Sequence, residues 1–204
     1  MTEPRLYLLT PPLSEGASFA PLLDAALSAA PCACVRLRFA AEEEGVIRAV
    51  ADPLREVCLG HDVALVLTDH FRLARQLGLD GAHLANPRLS VREARKALGE
   101  EAIVGAHAGA SRHMGMTLAE AGADYVSLGP VAESALGAGE IAEQELFEWW
   151  AEAITTPSVA EGGMTLALAE ALAPHADFIA AGAAIWSHPE GPAAGARAFA
   201  ALLD

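Results

Sequence analysis

The sequence predicts a single parallel α/β barrel of eight strands, a (β/α)8 domain over residues 1–204, and three observations carry that prediction. A cadence recurs along the chain. Leu77-Gly78-Leu79-Asp80-Gly81-Ala82-His83-Leu84 is echoed by Ala121-Gly122-Ala123-Asp124-Tyr125-Val126-Ser127-Leu128 and again by Pro174-His175-Ala176-Asp177-Phe178-Ile179-Ala180-Ala181-Gly182. Each copy reads as a helix end, an Asp-led turn and a short apolar strand. The second observation is spacing: Asp80 and Asp124 stand 44 residues apart, room for two strand-plus-helix units of about 20 to 30 residues each. The third is composition. The chain is 53% hydrophobic with a mean hydropathy of +0.30, yet no apolar run reaches the ~18 residues of a membrane span. Strands covered on both faces, with Ala-rich helices around them, account for that excess. At 204 residues the chain is shorter than the ~250 typical of such barrels, so its loops must be trimmed.

The elements follow in order. Leu6-Tyr7-Leu8-Leu9 marks a first strand at Arg5–Thr10, and Phe19-Ala20-x-Leu22-Leu23-x-x-Ala26-Leu27 has helical period. Strands are expected at Ala33–Arg38 and Val63–Thr68, separated by the helical pattern Val46-Ile47-x-x-Val50-x-x-x-Leu54. Gly81–Leu84 is the fourth strand. Val91–Leu98 carries an apolar stripe with Arg92, Glu93, Arg95 and Lys96 facing out, and it stops at Gly99. Ala102–Ala106, Tyr125–Leu128 and Ser158–Ala160 are the next strands. Phe147, Trp149 and Trp150 read as a helix face packed on the barrel or on a neighbouring chain. Thr165 is placed to cap a helix that runs to Ala173 and is halted by Pro174. Phe178–Ala181 is the eighth strand, and a last helix follows Pro192 and ends with Ala200-Ala201-Leu202-Leu203.

A net charge of −14, from 13 basic and 27 acidic side chains, argues against a nucleic-acid groove, which needs a concentrated basic face. Met1-Thr2-Glu3-Pro4-Arg5 leads into a strand and not into a signal-peptide core, so a cytoplasmic protein with no membrane partner is expected. Cys32, Cys34 and Cys58 are an odd number without a zinc-type second pair, which favours buried free thiols.

In a barrel of this kind chemistry gathers where strands end and helices begin. Val159-Ala160-Glu161-Gly162-Gly163-Met164-Thr165 puts two glycines before a helix, and Gly182-Ala183-Ala184 follows the last strand. Small residues there let backbone N–H groups approach a phosphate, a reading preferred over simple tight turns because both loops are small at once. Arg36 and Arg38 share a strand face. Pointing inward they would need an anion, and pointing outward they would be surface charge. Asp69 is either a ligand-binding acid or a cap for a helix starting at His70. His83 reads as a structural imidazole, and His107, at a strand end among small residues, as a functional candidate. Asp80, Asp124 and Asp177 fall at the opposite face and read as turn and helix-capping residues.

Taken together, Leu6-Tyr7-Leu8-Leu9-Thr10, Val35-Arg36-Leu37-Arg38, Leu67-Thr68-Asp69, Asp80-Gly81-Ala82-His83-Leu84, Gly122-Ala123-Asp124-Tyr125-Val126-Ser127-Leu128-Gly129-Pro130 and Glu161-Gly162-Gly163-Met164-Thr165 resemble, in this order, the thiamine phosphate synthase family. The resemblance implies a TIM barrel that joins hydroxymethylpyrimidine diphosphate to a thiazole phosphate and releases pyrophosphate with Mg²⁺. Its partners would be phosphorylated pyrimidine and thiazole compounds, and a homodimer is included in the expectation.

Carried over residue by residue, the pattern is uneven. The family's pyrimidine-binding Gln-x-Arg-x-Lys corresponds to Arg36-Leu37-Arg38-Phe39-Ala40, so the second Arg stands while Gln has become Arg and Lys has become Ala. Asn-Asp after the third strand corresponds to Thr68-Asp69, which leaves Asp69 as the matched metal ligand. Arg88 occupies the region of the second metal acid, and His107 replaces a Ser that touches the pyrimidine or the diphosphate. The Thr-x-Thr-Lys loop is absent from residues 132–139. Glu161 stands where an apolar residue is expected. The resemblance thus implies catalytic roles for Arg38, His107 and Asp69. Substrate or phosphate contacts are implied for Arg36, Arg38, Thr68, Arg88, His107, Gly162, Gly163, Gly182 and Ala183. A synthase with weakened activity is the first reading. A non-coupling phosphate-ligand binder or regulator, or a thiazole tautomerase-like enzyme, is the alternative.

Overall fold

In a computed structural model, which describes residues 3–133 and 140–203, the strands close into one barrel in the order β1-β2-β3-β4-β5-β6-β7-β8. The strands are β1 (Arg5–Leu13), β2 (Cys34–Phe39), β3 (Ala64–Thr68), β4 (Gly81–Leu84), β5 (Ile103–His107), β6 (Tyr125–Leu128), β7 (Ser158–Ala160) and β8 (Phe178–Ala181). All neighbours pair in parallel, and β8 closes on β1 through Arg5↔Phe178 to Leu8↔Ala181. The expected strands recur within a residue or so, except that β1 continues past Thr10 to Leu13 after a register shift between Leu9 and Pro12.

Helices flank the sheet: α1 (Ala20–Ala29), α2 (Glu44–Gly60), α3 (Phe71–Gln76), α4 (Val91–Leu98), α5 (Arg112–Glu120), α6 (Gln144–Ala153), α7 (Leu166–Leu172), α8 (Ala183–Trp186) and α9 (Pro192–Leu203). Apolar alternation is weak in the strands because both of their faces are covered. Residues such as Leu8, Val35, Leu67 and Val104 pack outward against helices, whereas Tyr7, Cys34, Val66 and Tyr125 fill the interior. Thr165 caps α7 by accepting from the Leu168 N–H at 3.2 Å. Phe147 and Trp150 are buried, while Trp149 is partly buried with the Arg112 guanidinium over its ring at 4.7 Å. The three cysteines are free thiols, and burial pushes Cys32 and Cys58 up to about 12.

The recurring Asp residues have a role other than helix capping. Asp80 accepts the Leu65 N–H at 2.7 Å, Asp124 accepts the Val104 N–H at 2.7 Å, and Asp177 accepts the Ser158 N–H at 2.8 Å. The first N–H groups of a strand lack a partner just as those of a helix do, and a carboxylate at the start of the next strand supplies one. The three clamps tie β3 to β4, β5 to β6 and β7 to β8 at the N-terminal face. The two-unit period of the sequence cadence is the period of these clamps.

Candidate active site

The interior below the C-terminal mouth is unusually polar. Thr10, Arg36, His83, Ser127 and Glu161 are all buried there. Arg36 on β2 and Glu161, just past β7, form an ion pair at 2.5 Å with side chains 2% and 1% exposed. The other Glu161 oxygen, Oε1, accepts from the Ser127 hydroxyl at 2.7 Å and lies 2.8 Å from His107 Nδ1. Burial alone would raise the Glu161 carboxyl, but the Arg36 charge and the hydrogen bond with His107 outweigh it and hold the carboxyl well below the usual range.

One layer deeper, Tyr7 and Tyr125 share a hydroxyl–hydroxyl hydrogen bond of 2.7 Å, and Tyr125 also meets His83 Nδ1 at 3.0 Å. Gly105 makes room for this layer, because a Cβ there would fall 2.0 Å from the Tyr125 ring. His83 Nε2 and Arg36 Nε have no partner among the described residues. Burial, reinforced by the Arg36 charge, pushes His83 well below the ordinary imidazole value, so it is neutral.

At the mouth, Arg38 is held by Thr10: its N–H donates to Thr10 Oγ1 at 3.0 Å and its Nε to the Thr10 carbonyl at 2.6 Å. It lines a cleft of about 440 Å³ together with Gly162, Gly163, Thr165, Gly182 and Ala183. Gly162 and Gly163 have φ of 89° and 73°, values that favour glycine, and a Cβ on Gly163 would meet the Ala132 backbone oxygen at 2.9 Å. The Trp186 indole donates to the Leu9 carbonyl at 2.6 Å and so fixes α8 beside this wall. Glu133, exposed, also borders the cleft.

The predicted site residues therefore separate into groups. Arg38, Gly162, Gly163, Gly182 and Ala183 converge on one cleft. Arg36 does not line it, because the anion it requires is Glu161 inside the barrel and not a ligand. Thr68 donates to the Leu37 carbonyl at 2.7 Å, which ties β3 to β2. Asp69, at φ 62°, does not cap α3, whose N-cap is His70. Its Oδ1 instead accepts the Ala85 and Asn86 N–H groups at 2.7 and 2.9 Å and shapes the loop after β4. Arg88 is exposed on that loop and lies outside the cleft lining. Residues 134–139 of the loop after β6, where Thr and Lys were missed, lie outside the described residues. Sequence reasoning passed over Ser127, and it gave Thr10 and Glu161 no role. A signal did exist: a cation at 36 and an anion at 161 are departures of opposite sign in one barrel.

Residues 6–185 match the family described as thiamine monophosphate synthase. The chain is 42% identical over 202 residues to a thiamine-phosphate synthase of Rhodospirillum centenum, covering 98% of this chain and 97% of that one. It is 39% identical to a thiamine-phosphate synthase of Hyphomonas neptunium, covering 98% and 94%. Among solved structures, thiamine phosphate pyrophosphorylase from Pyrococcus furiosus has a TM-score of 0.84 at 18% identity, covering 98% and 96%. Orotidine 5'-phosphate decarboxylase from Pyrococcus horikoshii has a TM-score of 0.67 at 15% identity, covering 97% and 98%. These two likenesses concern the fold alone.

Proposed function

The chain belongs to the thiamine monophosphate synthase family, and on that premise we propose that it couples hydroxymethylpyrimidine diphosphate with thiazole phosphate in the cytoplasm and releases pyrophosphate. The observation that carries this reading is the cleft in which Arg38 shares a wall with Gly162-Gly163 and Gly182-Ala183. Small residues there leave the backbone open to a phosphate, and the guanidinium adds a fixed charge.

Coupling ionises the C–O bond to the diphosphate, and the charge developing on the leaving group must be held. Arg38 is suited to this because Thr10 fixes its Nε edge and no described carboxylate pairs with it. His107 sits at the end of β5 with its ring partly exposed, outside the lining of the Arg38 cleft. For Mg²⁺, the residue that fits is Asp69, whose Oδ1 is taken by two backbone N–H groups while Oδ2 is left for an ion. Among the described residues no group of three or more His, Cys, Asp or Glu is placed to hold a metal ion by itself, so the ion would be shared with substrate phosphates. Bound there, Mg²⁺ would supply charge against the diphosphate.

No helix among the described residues is long and apolar enough to cross a membrane, in keeping with small phosphorylated partners. The accompanying homodimer is checked by mass in solution. The function is tested by Mg²⁺-dependent pyrophosphate release from the two substrates with purified protein. Absence of turnover at high enzyme overturns the synthase reading, and calorimetric binding of thiazole phosphate without turnover favours a non-coupling relative.

A further inference from the structure

We infer that Glu161 is a positioning residue that acts through His107: paired with Arg36, it locks the imidazole with Nδ1–H directed into the barrel and presents Nε2 at the mouth to the departing diphosphate. The inference rests on the synthase reading for its second half only.

Three polar side chains from separate elements meet here: Arg36 on β2, His107 at the end of β5 and Glu161 just past β7. None would be stable in place alone. A buried guanidinium requires a counter-charge, a buried carboxylate requires donors, and an imidazole at the rim has two tautomers until a neighbour selects one. Arg36 Nη2 reaches Glu161 Oε2 at 2.5 Å, while Ser127 Oγ and His107 Nδ1 reach Oε1 at 2.7 and 2.8 Å.

An ionised carboxylate only accepts, so the Ser127 hydroxyl and His107 Nδ1 both donate to it. Ser127 Oγ, 2.9 Å from Nδ1, lies beside the same N–H. With Nδ1 turned inward, Nε2 is on the ring's outward edge, and His107 is the member of the network with appreciable exposure, 18%.

Two consequences follow. Neutral His107 has its proton on Nδ1, which leaves Nε2 as the site that gains and loses a proton. Protonated His107 presents an Nε2–H donor at the mouth. As the C–O bond breaks and its electron pair goes to the leaving oxygen, that proton passes from Nε2 to the pyrophosphate, and water later returns a proton to Nε2. The Arg36–Glu161 pair is neutral overall, so it orients the imidazole without placing a second net charge under it.

The titratable groups that act on His107 are Glu161 and, on β4, His83, with Arg36 on β2 paired to Glu161. Of these Glu161 alone is in hydrogen-bond contact with the ring.

The test combines ring-nitrogen NMR with kinetics. Labelled wild-type protein is expected to show neutral His107 as the Nδ1–H tautomer, whether or not it turns over. Glu161→Gln leaves Arg36 buried without its counter-charge and risks misfolding, so the informative variant is Arg36→Met combined with Glu161→Leu, which removes both charges and the acceptor of the Nδ1–H. In it the Nδ1–H preference is expected to be lost. The kcat is expected to fall about 10- to 100-fold with KM little changed. A wild-type Nε2–H tautomer, or an Nδ1–H preference kept in the folded double variant, overturns the positioning role. Normal NMR behaviour with no turnover in wild type overturns the function and leaves the orientation standing. An unchanged kcat in the folded double variant overturns the action on the diphosphate.

Discussion

Arg36 and Glu161, 125 positions apart in the chain, meet inside the barrel as an ion pair that water scarcely reaches. Two charges are costly to bury singly and tolerable only together. The pair draws Ser127 and His107 into its hydrogen bonds, so the stability of the upper barrel and the orientation of a candidate catalytic group depend on the same contact.

Removing one partner should therefore be far worse than removing both. Arg36→Met is expected to destabilise the fold by about 3–5 kcal/mol, and the combination of Arg36→Met with Glu161→Leu to regain most of that loss. Urea unfolding of the three proteins checks this. Equal losses in the single and double variants would mean that the charges are not coupled.

Acid should weaken the fold through His83 before it acts on the carboxylates. Its folded-state value lies well below the ordinary 6.5, so between those values the unfolded chain binds a proton that the folded chain refuses. Stability then rises with pH through this window, with a slope of up to about 1.4 kcal/mol per pH unit, and levels off above it. Glu161, held well below 4.5, adds stability above that value, which is lost as pH falls further. Unfolding midpoints at about pH 5 and about pH 7 should differ less in His83→Gln than in wild type; the same difference in both would refute the assignment.

The cradle prediction concerns Gly163. With φ of 73° and the Ala132 oxygen 2.9 Å from an added Cβ, Gly163→Ala must displace the loop. A stability loss of about 1–3 kcal/mol is expected, together with a KM for thiazole phosphate raised about tenfold while the barrel stays folded. Calorimetric titration and circular dichroism separate the two effects. Unchanged affinity would remove the phosphate from this wall.

At the opposite face, Asp124→Asn should lower stability without touching turnover. The carboxylate holds both the Val104 N–H and Arg95, and the amide keeps one acceptor and loses the charge, at a cost of about 1–2 kcal/mol. A melting-temperature drop accompanied by normal kcat is the expected pattern. Loss of kcat at an unchanged melting temperature would contradict the division of faces.

The barrel was legible because its signals are local. Gly81–Leu84, Tyr125–Leu128, Ser158–Ala160 and Phe178–Ala181 occur as read, since a doubly covered strand must be apolar whatever its neighbours are. The tight turn at Gly162 and Gly163 was legible for the same reason: both have positive φ, and their identity declares that backbone. Arg36, Glu161 and Asp69 were not. A charge in a barrel strand has two readings until its partner is known, and no local pattern links position 36 to position 161. Asp80, Asp124 and Asp177 read in sequence as turn and helix-capping residues because the unpaired N–H groups of a helix start are visible there, whereas those of an adjacent strand become visible only once the strands are paired.

The three Asp clamps carry one more implication. They join β3 with β4, β5 with β6 and β7 with β8, while Glu3, Pro4 and Arg5 share a single cavity with Leu203 at the N-terminal face. A circular permutation that opens the chain before β3 and bridges those neighbouring ends would leave each clamped doublet intact and its connecting loop uncut. Each of these doublets would thus keep its own tie at the N-terminal face wherever the chain is opened between them.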